Sequence, residues 1–413
     1  MSGPPVDIDR GNFMSDTDEE ILDFPMPRTC PMAPPPAYTE LRGGPPRKVR
    51  LPDGTHAWIL TRHADVRAAM GDPRMSMDEA NPDMPHRLLV PRIPRLFSFI
   101  RMDEPEHGRL RRMVTSEFTA RSVKEMRPRI QEIVDRLIDD MERLPRPVDL
   151  VTEFAIPLPC LVIARIFGVP DEDIGLLKEQ TTIGLSQDVT PEQAIAAQIG
   201  MSEYLDRLAR RKAAEGGGDD LIGRLCSEYL ATGALSHEDL VGMVRLVLVA
   251  GHETSANQLG LSILSLLQNP DQLAEIKADP SLIRGAVEEM LRFWAISQDN
   301  IVRVAAADME LGGVHIAKGD GVVLAIPAAN HDEDVFPDAA RFDIHRQEAH
   351  QHLTFGHGAH YCLGATLATA ELELALTTLF ERLPGLRLAV PEEELSFRDT
   401  SLVYGLNKLP VTW

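Results

Sequence analysis

The chain has 413 residues, 44% of them hydrophobic and 25% charged, a balance that excludes disorder, collagen or low complexity as a description of the whole. Acidic residues outnumber basic ones 63 to 42, and a net charge of −21 repels phosphate backbones and anionic lipid, so neither nucleic acid nor a membrane is expected as a partner. Four cysteines with no Cys-x-x-Cys pair exclude a disulfide framework and a zinc ribbon, and they fit a reducing compartment.

Residues 1–20 read as a polar, acidic tail without the charged-then-apolar pattern of a signal peptide. No apolar run approaches the ~18 residues that span a bilayer, so a cytoplasmic protein is expected. Between Lys48 and Arg62 two short strand patterns flank Asp53-Gly54, which predicts a hairpin. Residues 76–102 hold no period, because Pro82, Pro85, Pro91 and Pro94 break every candidate helix, and a loop of that length is expected to serve function. Ile130, Ile133, Val134, Leu137, Ile138 and Met141 repeat at helical spacing. Gly216 to Asp220 marks an exposed loop, a long helix is predicted over 236–268, strands over 301–327, and a last helix from Cys362. With no internal repeat and no linker, the prediction is one large, mainly α domain over 21–413 with small peripheral β-sheets.

The most informative segment is Phe355-Gly356-His357-Gly358-Ala359-His360-Tyr361-Cys362-Leu363-Gly364. Two glycines two apart allow a tight turn and the close approach of a flat cofactor. At a helix start, free backbone N–H groups and the positive helix end favour a thiolate and lower the cysteine pKa. Gly364 keeps a side chain away from the sulfur. Alone, such a cysteine reads as a buried structural residue; the Gly-x-Gly-x-His-x-Cys-x-Gly frame argues for a ligand. The segment resembles the haem-binding signature of the cytochrome P450 family at every fixed position, and the resemblance runs from about Phe24 to Trp413. It implies the cytochrome P450 fold and haem b (iron protoporphyrin IX) ligated by the Cys362 thiolate, with Phe355 and Gly364 beside the cofactor.

Three further motifs match. Glu289 and Arg292 in Glu289-Met290-Leu291-Arg292 stand at i, i+3, where a surface pair is worth only about 0.3–0.5 kcal/mol. The family buries this pair and joins to it an Arg from the segment before the haem loop, which by resemblance is Arg341 in the stretch 336–342. In Ala250-Gly251-His252-Glu253-Thr254-Ser255, a Thr hydroxyl ordinarily bonds the i−4 carbonyl. By resemblance, Gly251 and Thr254 open the helix beside the iron, and Glu253 and Thr254 form the acid–alcohol pair that relays protons. His107 and Arg111, four apart, share a helix face suited to a carboxylate pair. The resemblance assigns them to the haem propionates, together with Arg303 and His360. Two positions depart from the family pattern, His331 and Tyr404, where Arg is common.

The resemblance places a substrate pocket at the loop 76–102, the helices around 171–200, Val249 and Ala250, residues 295–300 and 400–404. Leu88, Leu89, Val90, Ile93, Phe97, Ile296, Leu402 and Val403 are apolar there, and Gln298, Asp299, Asn300 and Tyr404 offer polar handles. That mixture suits a medium-to-large, mostly apolar small molecule such as a natural product awaiting tailoring. No dinucleotide fingerprint opens a βαβ unit, so electrons are expected from NAD(P)H through a separate ferredoxin reductase and ferredoxin. Arg109 and Arg112 are expected to form the basic docking patch. The implied activity is a monooxygenase performing hydroxylation or epoxidation. Ring formation, coupling or peroxide-driven oxidation are enzymatic alternatives, and a haem sensor is a non-catalytic one. The Glu253-Thr254 pair favours O2 activation, because a peroxygenase needs no proton relay.

Overall fold

The hairpin signalled by Asp53-Gly54 forms. Strands β1 (Arg47–Arg50) and β2 (His56–Leu60) pair antiparallel across that turn, with Gly54 at φ +84°. A computed structural model of the chain describes residues 21–85, 98–185, 190–298, 301–399 and 401–413. The expected tail 1–20 and the centre of the expected loop, 86–97, lie outside the described residues. The hairpin extends into a five-stranded sheet with β3 (Met75–Ser76), β4 (Val302–Ala305) and β5 (Gly321–Leu324), in the order β1-β2-β5-β4-β3. Side chains of a strand alternate between faces. Val302 and Val304 therefore enter a core with Ala57, Ile59 and Val323, and Arg303 between them points to the opposite side.

The rest is mainly helical and forms a single domain. The longer helices are α1 (His63–Gly71), α2 (Glu106–Thr115), α3 (Ala120–Glu142), α4 (Pro157–Phe167), α5 (Ile174–Leu185), α6 (Pro191–Ala214), α7 (His237–Gln268), α8 (Ile283–Trp294) and α9 (Ala365–Arg382). The periodic residues of α3 are all buried, as the spacing predicts, and Thr119 caps its start by accepting the Ser122 N–H. Ser236 does the same for α7 through the Asp239 N–H, which sets the predicted start of that helix. α7 is buried on most sides. A Cβ on Gly251 would lie 3.0 Å from Ile163 Cδ1, so the glycine lets α7 close against α4. Two bonds tie α7 to α8: Gln258 Nε2 to the Met290 carbonyl at 3.0 Å, and Trp294 Nε1 to Ser265 Oγ at 2.7 Å. Among the described residues, no helix is long and apolar enough to cross a membrane.

Between α8 and the loop that precedes α9 lies a buried ion-pair network. Glu289 and Arg292 are 0% exposed, and Arg292 grips the carboxylate with Nε at 2.6 Å and Nη2 at 2.8 Å. The Asp343 N–H donates to the same carboxylate at 3.0 Å, and Arg292 Nη1 donates to the Asn330 carbonyl at 2.8 Å. The expected third member, Arg341, is not there: its side chain is exposed and only its carbonyl enters the network, accepting from Arg292 and Arg346. Arg346 takes the place instead, with Nε 3.2 Å from the Glu289 carboxylate. The reason is local. Asp338 sits at φ +52° and starts a turn closed by the Arg341 N–H to the Asp338 carbonyl. The chain then doubles back, so that the guanidinium of Arg346 also caps the carbonyls of Pro337 and Asp338.

Removing Arg346 takes one charge-assisted hydrogen bond from the buried carboxylate, worth about 1.5–3 kcal/mol, while Arg292 and the Asp343 N–H still hold it. Arg346→Ala should therefore lower the unfolding free energy by that order. Arg341→Ala should stay within about 0.5 kcal/mol of the parent, as exposed substitutions do. Parallel denaturant titrations of the two variants check the assignment.

Candidate active site

The cysteine loop is built by short-range bonds. The Cys362 N–H donates to the Phe355 carbonyl at 2.8 Å, the Gly356 N–H to Leu353 at 2.8 Å, and the Tyr361 N–H to Gly358 at 3.0 Å. Gly356 and Gly358 both hold φ +74°, a region other residues adopt at a cost. A Cβ on Gly358 would come within 2.8 Å of the Met70 carbonyl, so this glycine serves the packing of the loop on α1. A Cβ on Gly364 would meet no protein atom within 4 Å; protein packing does not require a glycine there. α9 begins at Ala365, three residues later than expected. The N–H groups of Gly364 and Ala365 and the charge of Arg111 favour the Cys362 thiolate, but burial acts more strongly and pushes the thiol pKa up. The expected lowering thus does not arise from the protein alone.

On the far side of that loop a group of basic side chains converges. His107 is 1% exposed and its ring centroid stands 4.0 Å from that of His360, with the planes 31° apart. His107 Nδ1 is bonded to Glu104 Oε1 at 3.0 Å, whereas His107 Nε2 and His360 Nδ1 are buried without a protein partner. Strand alternation delivers Arg303, 4% exposed, whose pKa burial and the charge of Arg101 lower to about 10. Burial, with the charges of His107, Arg303, Arg111 and Arg101, lowers that of His360 to about 3. Such a site disfavours further positive charge and suits an anion with several acceptors. Arg101 was not among the expected residues; it follows a Pro-rich loop, where no spacing singles it out. Arg111 Nη2 donates to the Tyr361 carbonyl at 2.6 Å, so it braces the cysteine loop and lies near Cys362 as well.

The third component is the middle of α7. The helix is continuous there, and Thr254 Oγ1 donates to the Ala250 carbonyl at 2.6 Å, the ordinary back-bond of a helical threonine. That bond orients the hydroxyl and leaves its lone pairs to accept from a neighbour. Burial raises the Glu253 pKa, opposed by Arg398, whose Nη2 lies 3.1 Å from Oε1. Val249, 49% exposed, and Ala250 are open on a stretch whose preceding turn, Leu246 to Leu248, is buried.

Only some of the expected pocket residues are among those described. Leu402 is half-buried, but Ile296 and Val403 belong to the main core, at 5% and 6% exposure. Tyr404 is fully buried and donates its hydroxyl to the Pro31 carbonyl at 2.7 Å, and Arg28 lies over its ring. Gln298 is held by Arg28 Nε and by the Ser401 carbonyl. Neither is a free polar handle. Leu88, Leu89, Val90, Ile93, Phe97, Asp299 and Asn300 lie outside the described residues.

The family model for cytochrome P450 matches residues 203–394. Cytochrome P450-SU2 of Streptomyces griseolus is 46% identical over 390 residues, covering 93% of this chain and 94% of its own. The chain belongs to the cytochrome P450 family. The crystal structure of GfsF, a P450 of Streptomyces halstedii, is similar with a TM-score of 0.90 at 43% identity, covering 95% of this chain and 100% of that one. That of the mycinamicin VIII C21 methyl hydroxylase MycCI from Micromonospora griseorubida, bound to mycinamicin VIII, has a TM-score of 0.87 at 39% identity, again over 95% and 100%. Family membership makes the protein an oxidoreductase, a haem-thiolate monooxygenase. The residues present fit that cofactor: an exposed cysteine sulfur beside the N–H groups of Gly364 and Ala365 and the charge of Arg111, and unpartnered ring nitrogens among guanidiniums suited to two carboxylates.

Two histidines outside the site carry a pH dependence. His252 donates to or accepts from nothing charged; its Nε2 meets the Ile156 carbonyl, and burial lowers its pKa to about 4. His331, bonded to the Pro327 carbonyl, is lowered to about 3 by burial and the charge of Arg292. A free histidine titrates near 6.5, so below that pH the unfolded chain binds protons that the folded one refuses. The contribution of His252 and His331 to stability should be full above about pH 6.5 and be lost steadily as the pH falls toward 4. His331→Gln should flatten that slope in denaturant titrations across pH; an unchanged slope would show that His331 is not buried neutral.

Proposed function

We propose that Cys362 is the axial ligand of haem b, that His107, His360, Arg303 and Arg101 receive its propionates, and that the protein oxidises a mostly apolar natural product. The unpartnered nitrogens of His107 and His360 carry this reading, because a buried polar atom without a partner is costly and a propionate repays both. Bound haem supplies the activation of O2, from which one oxygen atom enters a C–H bond or an alkene of the substrate. The protein's own part is placement and proton supply. Glu253 takes up a proton at its carboxylate, Thr254 accepts one on its hydroxyl oxygen and gives up its own as the hydroxyl turns from the Ala250 carbonyl, and Val249, Ala250 and Leu402 hold an apolar substrate beside them. The relative solved with mycinamicin VIII supports a substrate of natural-product type.

The reduced protein under carbon monoxide should show the thiolate-type Soret band, and Cys362→Ala should lose it; a band typical of histidine ligation in the parent would overturn the ligand assignment. Thr254→Ala should keep haem content and the substrate-induced spectral shift while product falls and hydrogen peroxide rises, by up to the 10²–10⁴-fold that acid–base assistance is worth. Product per NAD(P)H equal to that of the parent would place the relay elsewhere.

Electrons are proposed to arrive on the cysteine side. A concavity of about 1280 Å³ beside Phe355, Gly356 and Tyr361 carries Arg67, Lys124, Arg127 and Arg284 against Glu288 and Glu373. The expected patch is less suited. Arg109 is paired with Glu106 and bonded to the Ala234 carbonyl, and the charge of Arg112 is felt by Glu104. An acidic ferredoxin matches the concavity's cations. Arg67→Glu with Lys124→Glu should slow reduction by ferredoxin and weaken its salt dependence, with dithionite reduction unchanged. The same result from Arg109→Glu with Arg112→Glu, and none from the first pair, would restore the α2 patch.

A further inference from the structure

Glu253 is held from outside its own helix. Arg398 Nη2 meets its Oε1 at 3.1 Å, with the Arg398 side chain 11% exposed and that of Glu253 25%. Arg398 belongs to the segment between Leu395 and Asn407, whose two arms pair: Phe397 bridges Leu406, the Arg398 N–H donates to the Gly405 carbonyl at 2.9 Å, and the Asn407 N–H to the Ser396 carbonyl at 2.8 Å. A second contact pins this segment to α7 one turn after Glu253. Asn257 Nδ2 donates to the Glu253 carbonyl at 2.8 Å, and Asn257 lies so close over Gly405 that a Cβ there would fall 1.7 Å from its Oδ1. The same segment carries Leu402 at the substrate side, and the Tyr404 N–H fastens it to the Ile296 carbonyl at 2.8 Å.

Resting on the reading of Glu253 and Thr254 as the relay, we propose that Arg398 is its positioning residue: the guanidinium holds the Glu253 carboxylate in one place and ionised, from the segment that also borders the substrate. Burial by itself favours the neutral acid, and the charge and hydrogen bond of Arg398 oppose it. Arg398 is the charged group that faces Glu253 among the described residues; His252, its neighbour on α7, is turned to the Ile156 carbonyl. An ionised carboxylate accepts a proton from the solvent side and returns it to Thr254. A neutral one without its partner is free to rotate away. Arg398 acts through Glu253 and contacts no reacting atom.

The test uses the haem-loaded protein with ferredoxin, its reductase and NAD(P)H, in the variants Glu253→Gln, Arg398→Gln, Arg398→Lys and the double Glu253→Gln/Arg398→Gln. Two quantities are read across pH: product per NAD(P)H consumed, and the infrared carboxyl band that Glu253→Gln removes. Arg398→Gln should cut product about tenfold, the order expected for one charge-assisted hydrogen bond, and move that band to the protonated acid at a pH where the parent is ionised. Arg398→Lys, which keeps the charge without the fork, should fall between. The double variant should match Glu253→Gln, because residues acting through one group are not additive. Parent-like coupling with an unmoved band in Arg398→Gln overturns the proposal, as does a double variant well below Glu253→Gln, which marks a structural pin. If Arg398→Gln takes up no haem, Arg398→Lys decides: an unmoved band and full coupling overturn the proposal, and partial coupling supports it. Full coupling in Glu253→Gln is a different failure, since it removes the relay and the proposal with it.

Discussion

The Glu289 carboxylate is fully buried, and much of the site depends on how its charge is met. Arg292 from its own helix, Arg346 and the Asp343 N–H from a distant segment all converge on it. Because an uncompensated charge at this depth costs several kcal/mol, the three cannot drift apart independently. Arg292 also reaches the Asn330 carbonyl, and Asn330 in turn accepts the Leu353 N–H at 2.8 Å and donates to Thr354 Oγ1 at 2.9 Å. The chain enters the cysteine loop at Leu353 and Thr354. A buried ion pair therefore locates the start of the loop that carries Cys362, although it touches neither the sulfur nor the cation group around Arg303.

α7 has two roles that pull against each other. Its ends and flanks are core, packed on α4, α6 and α8, and burial there stabilises the fold. Its middle holds a carboxylic acid and a hydroxyl beside exposed apolar residues. The two demands are reconciled by satisfying the polar groups locally: Thr254 on Ala250, Asn257 on the Glu253 carbonyl, Glu253 on Arg398. Little of the helix hydrogen-bond ladder is given up, and the polar groups occupy little more than a single turn.

Electrostatics divides the molecule similarly. The whole chain is strongly acidic, yet cations gather in two places, the buried group around His107, His360 and Arg303 and the concave face near Tyr361. The first is desolvated, so burial first and neighbouring charges second lower the pKa values of Arg303 and His360. The second is open to water and suits transient docking, where complementarity governs encounter rate more than affinity.

The nature of the protein was legible wherever function lies in neighbouring residues. The cysteine loop, the Glu253-Thr254 pair and the Glu289/Arg292 pair are set by spacings of a few residues, and turns and helices translate such spacings directly into geometry. The β1–β2 hairpin, the α3 stripe and the extent of α7 followed likewise from local rules. Partners from distant segments were decided only by the tertiary structure. Arg346 displaces Arg341 because a turn at Asp338 reverses the chain. Arg303 faces the cation group because strand alternation happens to place it opposite two core valines. Arg101 and Arg398 arrive from segments with no motif, the latter 145 residues from Glu253. Tyr404 and Gln298, polar and apparently available in the sequence, are consumed by Pro31, Arg28 and Ser401. Residue type and spacing determine what a side chain is able to do; which of its possible partners it meets depends on how the chain returns on itself, and that is fixed by packing.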